Sequence, residues 1–358
     1  MDYHGRQTRL LKKLGDARLD SLLVTHLPNI CYLCGFTGSA GVLLVGPEGN
    51  RFFTDGRYRD QAHAEVQGAR VGIGKQSALL AAVQALSRMR RGVAGLEAAH
   101  TSLATHKFLS GMTPSRLRLR AVNGLVEELR LVKDKEEIER IRAAVELASS
   151  LFEPVLALIQ PGVRESAIAA KLEYAARRAG AERMSFETIV AAGPRSALPH
   201  WRASAQPLPP AGFVVLDFGV ILAGYCSDMT RTVYVGRPTA RARQMYRAVR
   251  QAQEAAIAAV RPGVVASQVD RAARSVLRRA GLAPYFTHST GHGVGLEIHE
   301  APRLGKGQRD LLQPGMVVTI EPGIYIAGQG GVRIEDVVVV TSNGCEVLTP
   351  TSKELIAV

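Results

Sequence analysis

The chain has 358 residues, 46% of them hydrophobic, 22% charged and 5% aromatic, with a formal net charge of +13. That is enough apolar material for packed cores in two domains, and it rules out a disordered or collagen-like chain. Uninterrupted apolar runs stay as short as Val337–Val340, far below the roughly 18 residues of a membrane span.

Arginine supplies most of the positive charge. Residues 1–120 hold 17 basic and 8 acidic side chains, a net of +9, against +4 in the remainder. The densest clusters, Arg88–Arg91 and Arg116–Arg120, contain no run of five, so the excess reads as a solvated surface and a nucleic-acid partner is not expected. Cys31, Cys34, Cys226 and Cys345 are too few for a disulfide framework, and the lone C-x-x-C pair lacks the second pair of a zinc site. With no apolar signal segment at Met1–Leu14, a cytoplasmic protein is expected.

Along residues 1–125, helical and strand-like patterns alternate. A basic amphipathic helix around Gln7–Leu19 precedes strands at Leu22–Thr25, Gly41–Val45 and Arg51–Thr54. Helices at Arg57–Val66 and Ser77–Arg88 and a strand at Gly92–Leu96 follow, which reads as a compact α/β domain. A second domain is expected over residues 126–358. It starts with a long helix that Asp134 caps, its first turns carrying Glu136, Glu137 and Glu139 where the helix dipole favours negative charge.

An internal repeat then emerges. Pro161-Gly162-Val163 opens a helix ending at Ala179-Gly180, and Pro262-Gly263-Val264 opens another ending at Ala280-Gly281, an offset of 101 residues. Each copy leads to strands holding a Phe (Phe186, Phe286) and then to Gly-Phe-Val-Val (212–215) or Gly-Met-Val-Val (315–318). Two copies are too few for a solenoid, so a duplicated α+β unit folded face to face is expected.

Carboxylates interrupt the apolar strands of both copies. Asp217 lies in Phe213-Val-Val-Leu-Asp217, and Asp228 follows a turn at Ala223-Gly224. A hairpin centred on Leu222/Ala223 would set the two acids opposite one another. Glu321 ends Val317-Val-Thr-Ile-Glu321, and Glu335 lies the same distance beyond Gly328. Like charges facing across a sheet are destabilising, and buried carboxylates call for cations. Arg231 or Arg333 could answer one pair; two divalent metals would answer all four. His292, among glycines, adds an imidazole ligand, which favours manganese, cobalt or zinc over calcium.

Taken together, Leu-Asp217-Phe-Gly, Ser-Asp228-Met-Thr-Arg-Thr, Thr-Gly-His292-Gly-Val-Gly-Leu-Glu-Ile-His299-Glu, Ile-Glu321-Pro-Gly-Ile-Tyr and Val-Arg333-Ile-Glu335-Asp resemble the motifs of pita-bread metallopeptidases. They look most like those of the Xaa-Pro peptidase branch, aminopeptidase P and prolidase. Asn29–Gly41 and Phe53–Tyr58 resemble the creatinase-type N-terminal domain of that branch.

The resemblance implies an α/β N-terminal domain followed by an α+β pita-bread catalytic domain with an internal pseudo-twofold duplication. It further implies two divalent ions per subunit, manganese first, held by Asp217, Asp228, His292, Glu321 and Glu335. A water shared by the ions would attack the carbonyl before proline, with Glu321 moving its proton. His200, in Ser-Ala-Leu-Pro-His200, and His299 would contact the substrate carbonyl, and Arg333 would orient a ligand carboxylate. The family's usual Gly after that His is Trp201 here.

The substrates expected are proline-containing peptides, and a homodimer is implied. An Xaa-Pro aminopeptidase is the first expectation. Prolidase is the alternative, because Arg303 could grip the carboxylate of a C-terminal proline. A non-catalytic binding protein of the same fold is the third.

Overall fold

The computed structural model describes residues 1–89 and 92–358, so Arg90 and Arg91 of the first basic cluster lie outside the described residues. The chain forms two compact units, Met1–Arg130 and Leu131–Val358.

The first unit runs α1 (Tyr3–Asp16), β1 (Ser21–Val24), α2 (Leu27–Cys34), β2 (Val42–Val45), β3 (Arg51–Asp55), α3 (Arg59–Glu65), β4 (Arg70–Gly74), α4 (Ala78–Leu86), β5 (Gly92–Glu97), α5 (Leu103–Met112), β6 (Leu117–Val122) and α6 (Glu127–Arg130). Its six strands form one mixed sheet in the order β4-β3-β2-β1-β5-β6. Caps define the helix starts: Asp2 accepts from Gly5 N–H before α1, and Ser77 accepts from Leu80 N–H before α4.

The C-x-x-C pair belongs to α2, a helix the residue pattern does not reveal; it starts with Pro28 in its first turn and ends on the left-handed Gly35. Burial pushes the Cys34 thiol up to about 12, which makes it inert packing. The short β4, the exposed α5 and β6 also escape the sequence reading. Their apolar residues are too few, and too diluted by Arg and Gly, to show a period.

The second unit opens with α7 (Lys135–Ser150), held by a reciprocal capping box between Asp134 and Glu137. There follow α8 (Phe152–Leu156), α9 (Glu165–Arg178), β7 (Arg183–Met184), β8 (Ile189–Ala192), β9 (Gly212–Phe218), β10 (Val220–Leu222), β11 (Tyr225–Cys226) and β12 (Met229–Val235). The second half contributes α10 (Ala240–Ala259), α11 (Ala266–Arg279), β13 (Gly291–Gly293), β14 (Glu300–Leu304), β15 (Val317–Ile320), β16 (Gly323–Ile326), β17 (Gly330–Arg333), β18 (Asp336–Val340) and β19 (Cys345–Val347).

The duplication is visible bond by bond. Helices α9 and α11 keep the 101-residue offset at both ends. Gly162 N–H donates to Leu208 O, as Gly263 N–H does to Leu312 O; Leu208 N–H returns to Val163 O, as Leu312 N–H does to Val264 O. The sheet order β12-β9-β8 recurs as β18-β15-β13. Each half has its own core: α7–α9 cover β8, β9 and β12, while α10 and α11 cover β15–β18. The unit is thus a pita-bread domain with an internal pseudo-twofold repeat. Phe186 and Phe286 lie in loops rather than strands. Phe186 stands in the bend that follows β7, and Phe286 directly follows a 3-10 turn at Ala283–Tyr285, so neither is paired to a strand.

Candidate metal centre

Strand alternation decides which face of each half carries acids. In β9, Val214, Leu216 and Phe218 pack on the helices of their own half, so Phe213, Val215 and Asp217 face the other way. In β15, Val318 and Ile320 face the helices, which puts Glu321, one residue past the strand, in the opposite row. Asp228 and Glu335 stand immediately before the returning strands β12 and β18. Each half therefore offers one acid near the end of its central strand and one at the start of the next.

The expected facing of Asp217 and Asp228 is corrected by the register. Leu222 pairs with Tyr225 across a two-residue turn in which Ala223 (φ 48°) and Gly224 (φ 79°) are both left-handed, so the hairpin is centred between these two residues. Asp217 consequently pairs with Thr230, and Asp228 lies between strands, level with Gly219. A Cβ at Gly219 would fall 1.9 Å from Ser227 O, so only glycine lets the chain carrying Asp228 approach this closely. In the second half, Gly323 pairs with Arg333 and Ile320 with Asp336, the register that sets Glu321 level with Glu335 as the sequence implies.

Asp228, His292 and Glu335 each offer one ligand atom, all within 4.8 Å of one another. His292 Nε2 lies 3.5 Å from Asp228 Oδ2 and 3.7 Å from Glu321 Oε1. Its Nδ1 is 2.9 Å from Gly293 O, a pure acceptor, so the ring proton belongs on Nδ1. Burial pushes His292 down to about 4, so the ring is neutral at pH 7. Its Nε2 lone pair then points among carboxylate oxygens, an arrangement that a cation satisfies.

The acids carry the same message. Burial, then the charges of Asp217 and Glu321, hold Asp228 well above the usual carboxylate range. Burial followed by Asp228, Glu321 and Asp217 does the same to Glu335. Burial pushes Glu321 up to about 8, against the lowering pull of Arg333. Asp217 Oδ1 is buried with no hydrogen-bond partner among the described residues. Such a set fits divalent ions.

Arg333 is the cation built into the site. Its Nη2 donates to Asp217 Oδ2 (2.5 Å), its Nε to Thr230 Oγ1 (3.1 Å) and its Nη1 to Tyr325 Oη (2.6 Å). Thr230 Oγ1 in turn donates to Glu335 Oε2 at 2.6 Å. Arg231 does not serve the acids. Adjacent to Thr230 on the strand, it points to the opposite face and is engaged by Asp336 Oδ1 (2.7 Å) and by the carbonyls of Glu335, Thr351 and Ser352.

The cluster forms the floor of a cleft of about 710 Å³ lined also by His200, Trp201, His288, His299 and Arg303. His299 is exposed and meets the His292 ring edge-on at 4.5 Å between centroids. Burial, with the nearby His200 charge, holds His299 below the ordinary histidine value. Arg303 pairs with His292 across β13–β14 and reaches the cleft from that side.

His288 extends this network. Its Nδ1 lies 2.8 Å from Ser289 O and its Nε2 2.9 Å from Tyr325 Oη, so Tyr325 passes a hydrogen bond from Arg333 to His288. Burial pushes His288 down to about 4. The signal available was its place four residues before His292. Tyr325 and Thr230 were visible only as parts of motifs.

Comparison with known proteins agrees with this geometry. Residues 139–342 match the model of metallopeptidase family M24, and residues 6–132 match that of the creatinase/prolidase N-terminal domain. A solved structure described as the Xaa-Pro dipeptidase from Bacillus anthracis superposes with a TM-score of 0.96 at 38% identity, covering 99% of this chain and 100% of its own. A protein named Xaa-Pro dipeptidase from Pyrococcus horikoshii is 34% identical over 355 residues, 97% of each chain. The structure of an X-Pro aminopeptidase from Thermotoga maritima gives 0.90 at 34% identity, over 99% and 100% of the two chains. With its duplicated domain, its acid–histidine cluster and its whole-length relatives, the chain belongs to metallopeptidase family M24, in the Xaa-Pro peptidase group, with a creatinase/prolidase-type N-terminal domain.

Proposed function

We propose that the protein is an Xaa-Pro dipeptidase, using two divalent ions, manganese first, held by Asp217, Asp228, His292, Glu321 and Glu335. The observation that carries the dipeptide preference is Arg303. It faces the cleft beside His292, its guanidinium hydrogen-bonds Ser289 Oγ at 3.3 Å, and it has no ion-pair partner among the described residues. A planar guanidinium so placed suits the free carboxylate of a C-terminal proline. The whole-length relatives named as dipeptidases support the same reading, ahead of the aminopeptidase that the sequence motifs alone favour.

Divalent metal, when bound, supplies Lewis-acid polarisation of the scissile carbonyl and lowers the pKa of water toward neutrality. The remaining work belongs to side chains. Glu321 takes the water's proton and passes it to the departing proline nitrogen, acting first as base and then as acid. His200 and His299, both at the exposed rim, donate hydrogen bonds to the carbonyl oxygen as negative charge develops on it. Arg333 holds Asp217 in one orientation, and Tyr325 and His288 hold Arg333 in turn.

The test is a panel of Leu-Pro against Leu-Pro-Gly with the metal-loaded enzyme. Cleavage of the dipeptide with the tripeptide at least about tenfold poorer is expected. Arg303→Ala should raise KM for the dipeptide about 10–100-fold, the worth of a charge-assisted carboxylate contact, with a smaller effect on kcat. Efficient tripeptide cleavage, indifferent to Arg303→Ala, would instead establish the aminopeptidase reading, which the likeness to the Thermotoga maritima enzyme keeps in play.

A further inference from the structure

Trp201 is the chain's one tryptophan, and it lines the cleft directly after His200. Its indole Nε1 donates to Glu165 Oε2 at 2.9 Å. Glu165, the first residue of α9, is fully buried and gathers four more hydrogen bonds. They come from Ala192 N–H (2.9 Å), Arg195 Nε (2.8 Å), Ser204 N–H (3.2 Å) and Ser204 Oγ (2.6 Å). Burial alone would raise this carboxyl, but the bonds from Ser204, Trp201, Arg195 and Ala192 outweigh it and hold the group below its usual value. One ionised carboxylate therefore ties down the segment 192–204, which carries His200, at its start, middle and end.

The tie also fixes what Trp201 faces. Ile189 pairs with Asp217 across β8–β9, so the two side chains share a face of the sheet. Ile189, Phe186 and Trp201 all line the cleft. The cleft thus has apolar groups next to Asp217, rimmed by the exposed Arg202–Glu187 ion pair, and a guanidinium, Arg303, next to His292. An Xaa-Pro substrate has the matching asymmetry, with a carboxylate on its proline and a variable side chain on its first residue.

We infer that Trp201, held by Glu165, forms the wall of the subsite for the side chain preceding the scissile bond, and so sets a preference for apolar first residues. The inference rests on the Xaa-Pro reading above and on Arg303 fixing the substrate's direction. Trp201 is a specificity-determining and positioning residue in this account: the indole face makes the wall, and the N–H contributes to holding the His200 segment.

Three enzymes, wild type, Trp201→Phe and Trp201→Gly, compared on Leu-Pro and Gly-Pro in the metal-loaded state, test it. Wild type should favour Leu-Pro by about tenfold in kcat/KM, the usual discrimination for an aliphatic side chain in an apolar pocket. Trp201→Gly, which loses both the wall and the N–H, should bring that ratio to about one, with KM raised for Leu-Pro and not for Gly-Pro and kcat lowered for both. Trp201→Phe, which keeps an aromatic wall and loses the N–H, should keep the ratio and lower kcat for both substrates. The emission of Trp201 in the wild type should shift further with Leu-Pro than with Gly-Pro.

An unchanged ratio of Leu-Pro to Gly-Pro cleavage in Trp201→Gly overturns the wall while leaving the dipeptidase reading intact. Absence of cleavage of either dipeptide by the wild type, with no change in emission, overturns that reading and this inference together.

Discussion

Glu335→Ala should leave a folded protein whose hydrolysis of Xaa-Pro substrates is reduced by about 10³-fold or more. Glu335 is one of three residues whose ligand atoms converge within 4.8 Å, and its carboxyl is held far above its usual value by burial and by three neighbouring acids. Removing it relieves like-charge repulsion, and the structural loss is one hydrogen bond from Thr230, worth about 1 kcal/mol. The adjacent residue carries the opposite expectation. Asp336 accepts from Arg231 (2.7 Å), Gln253 (2.7 Å) and Lys353 (3.0 Å) in the interior. Asp336→Ala would strand a buried guanidinium and should cost about 3–5 kcal/mol of stability. Thermal melts and kinetics on the two variants separate these roles. A Glu335→Ala enzyme with activity near wild type would refute its assignment to the centre.

Removing divalent metal should lower the melting temperature by about 5–10 °C at pH 8 and by much less at pH 5. The sign follows from the acids. Glu321 has an ordinary value of 4.5 and is pushed up to about 8 in the folded, metal-free chain, chiefly by burial; Asp228 and Glu335 move in the same direction. Between about pH 4.5 and 8 the folded chain keeps protons that the unfolded chain has released, so metal-free stability falls as pH rises through that window. Bound cations favour the ionised carboxylates and cancel the slope. Metal at 100 times its Kd adds about 2.7 kcal/mol, which for a unit of this size is a shift of several degrees. Melts with and without chelator across pH 5–8 provide the check. A metal-free protein whose stability rises from pH 5 to 8 would contradict the account.

Much of the second unit could be read from residue order because its information is local. The 101-residue offset of α9 and α11 follows from two Pro-Gly-Val openings, and the cap at Asp134 from the acids behind it. The facing of Glu321 and Glu335 was also within reach, since the glycine-rich turn at Gly328–Gly331 leaves one centre for the hairpin. The first hairpin was not, because Leu222, Ala223 and Gly224 permit two centres. Only the left-handed backbone at both Ala223 and Gly224 selects the one that pairs Asp217 with Thr230. A shift of this kind moves every partner along the strands, which is why Asp228 ended level with Gly219.

The sequence by itself made the duplicated architecture legible from residue type and spacing, and its acid and histidine motifs carried the resemblance to the family to which the chain belongs. The excess of arginine determined little: one such residue, Arg333, became part of the centre, and Arg231 became a buried structural cation. Those fates, the role of His288 and the latch between Glu165 and Trp201 were decided only by tertiary structure. Whether Arg231 or Arg333 meets Asp217 depends on which face of a strand each occupies and which strand folds opposite. His288, Tyr325 and Arg333 form one hydrogen-bonded chain from separate stretches of sequence. Long-range pairing of this kind leaves no periodic trace in residue order, because it arises only when the two halves close on one another.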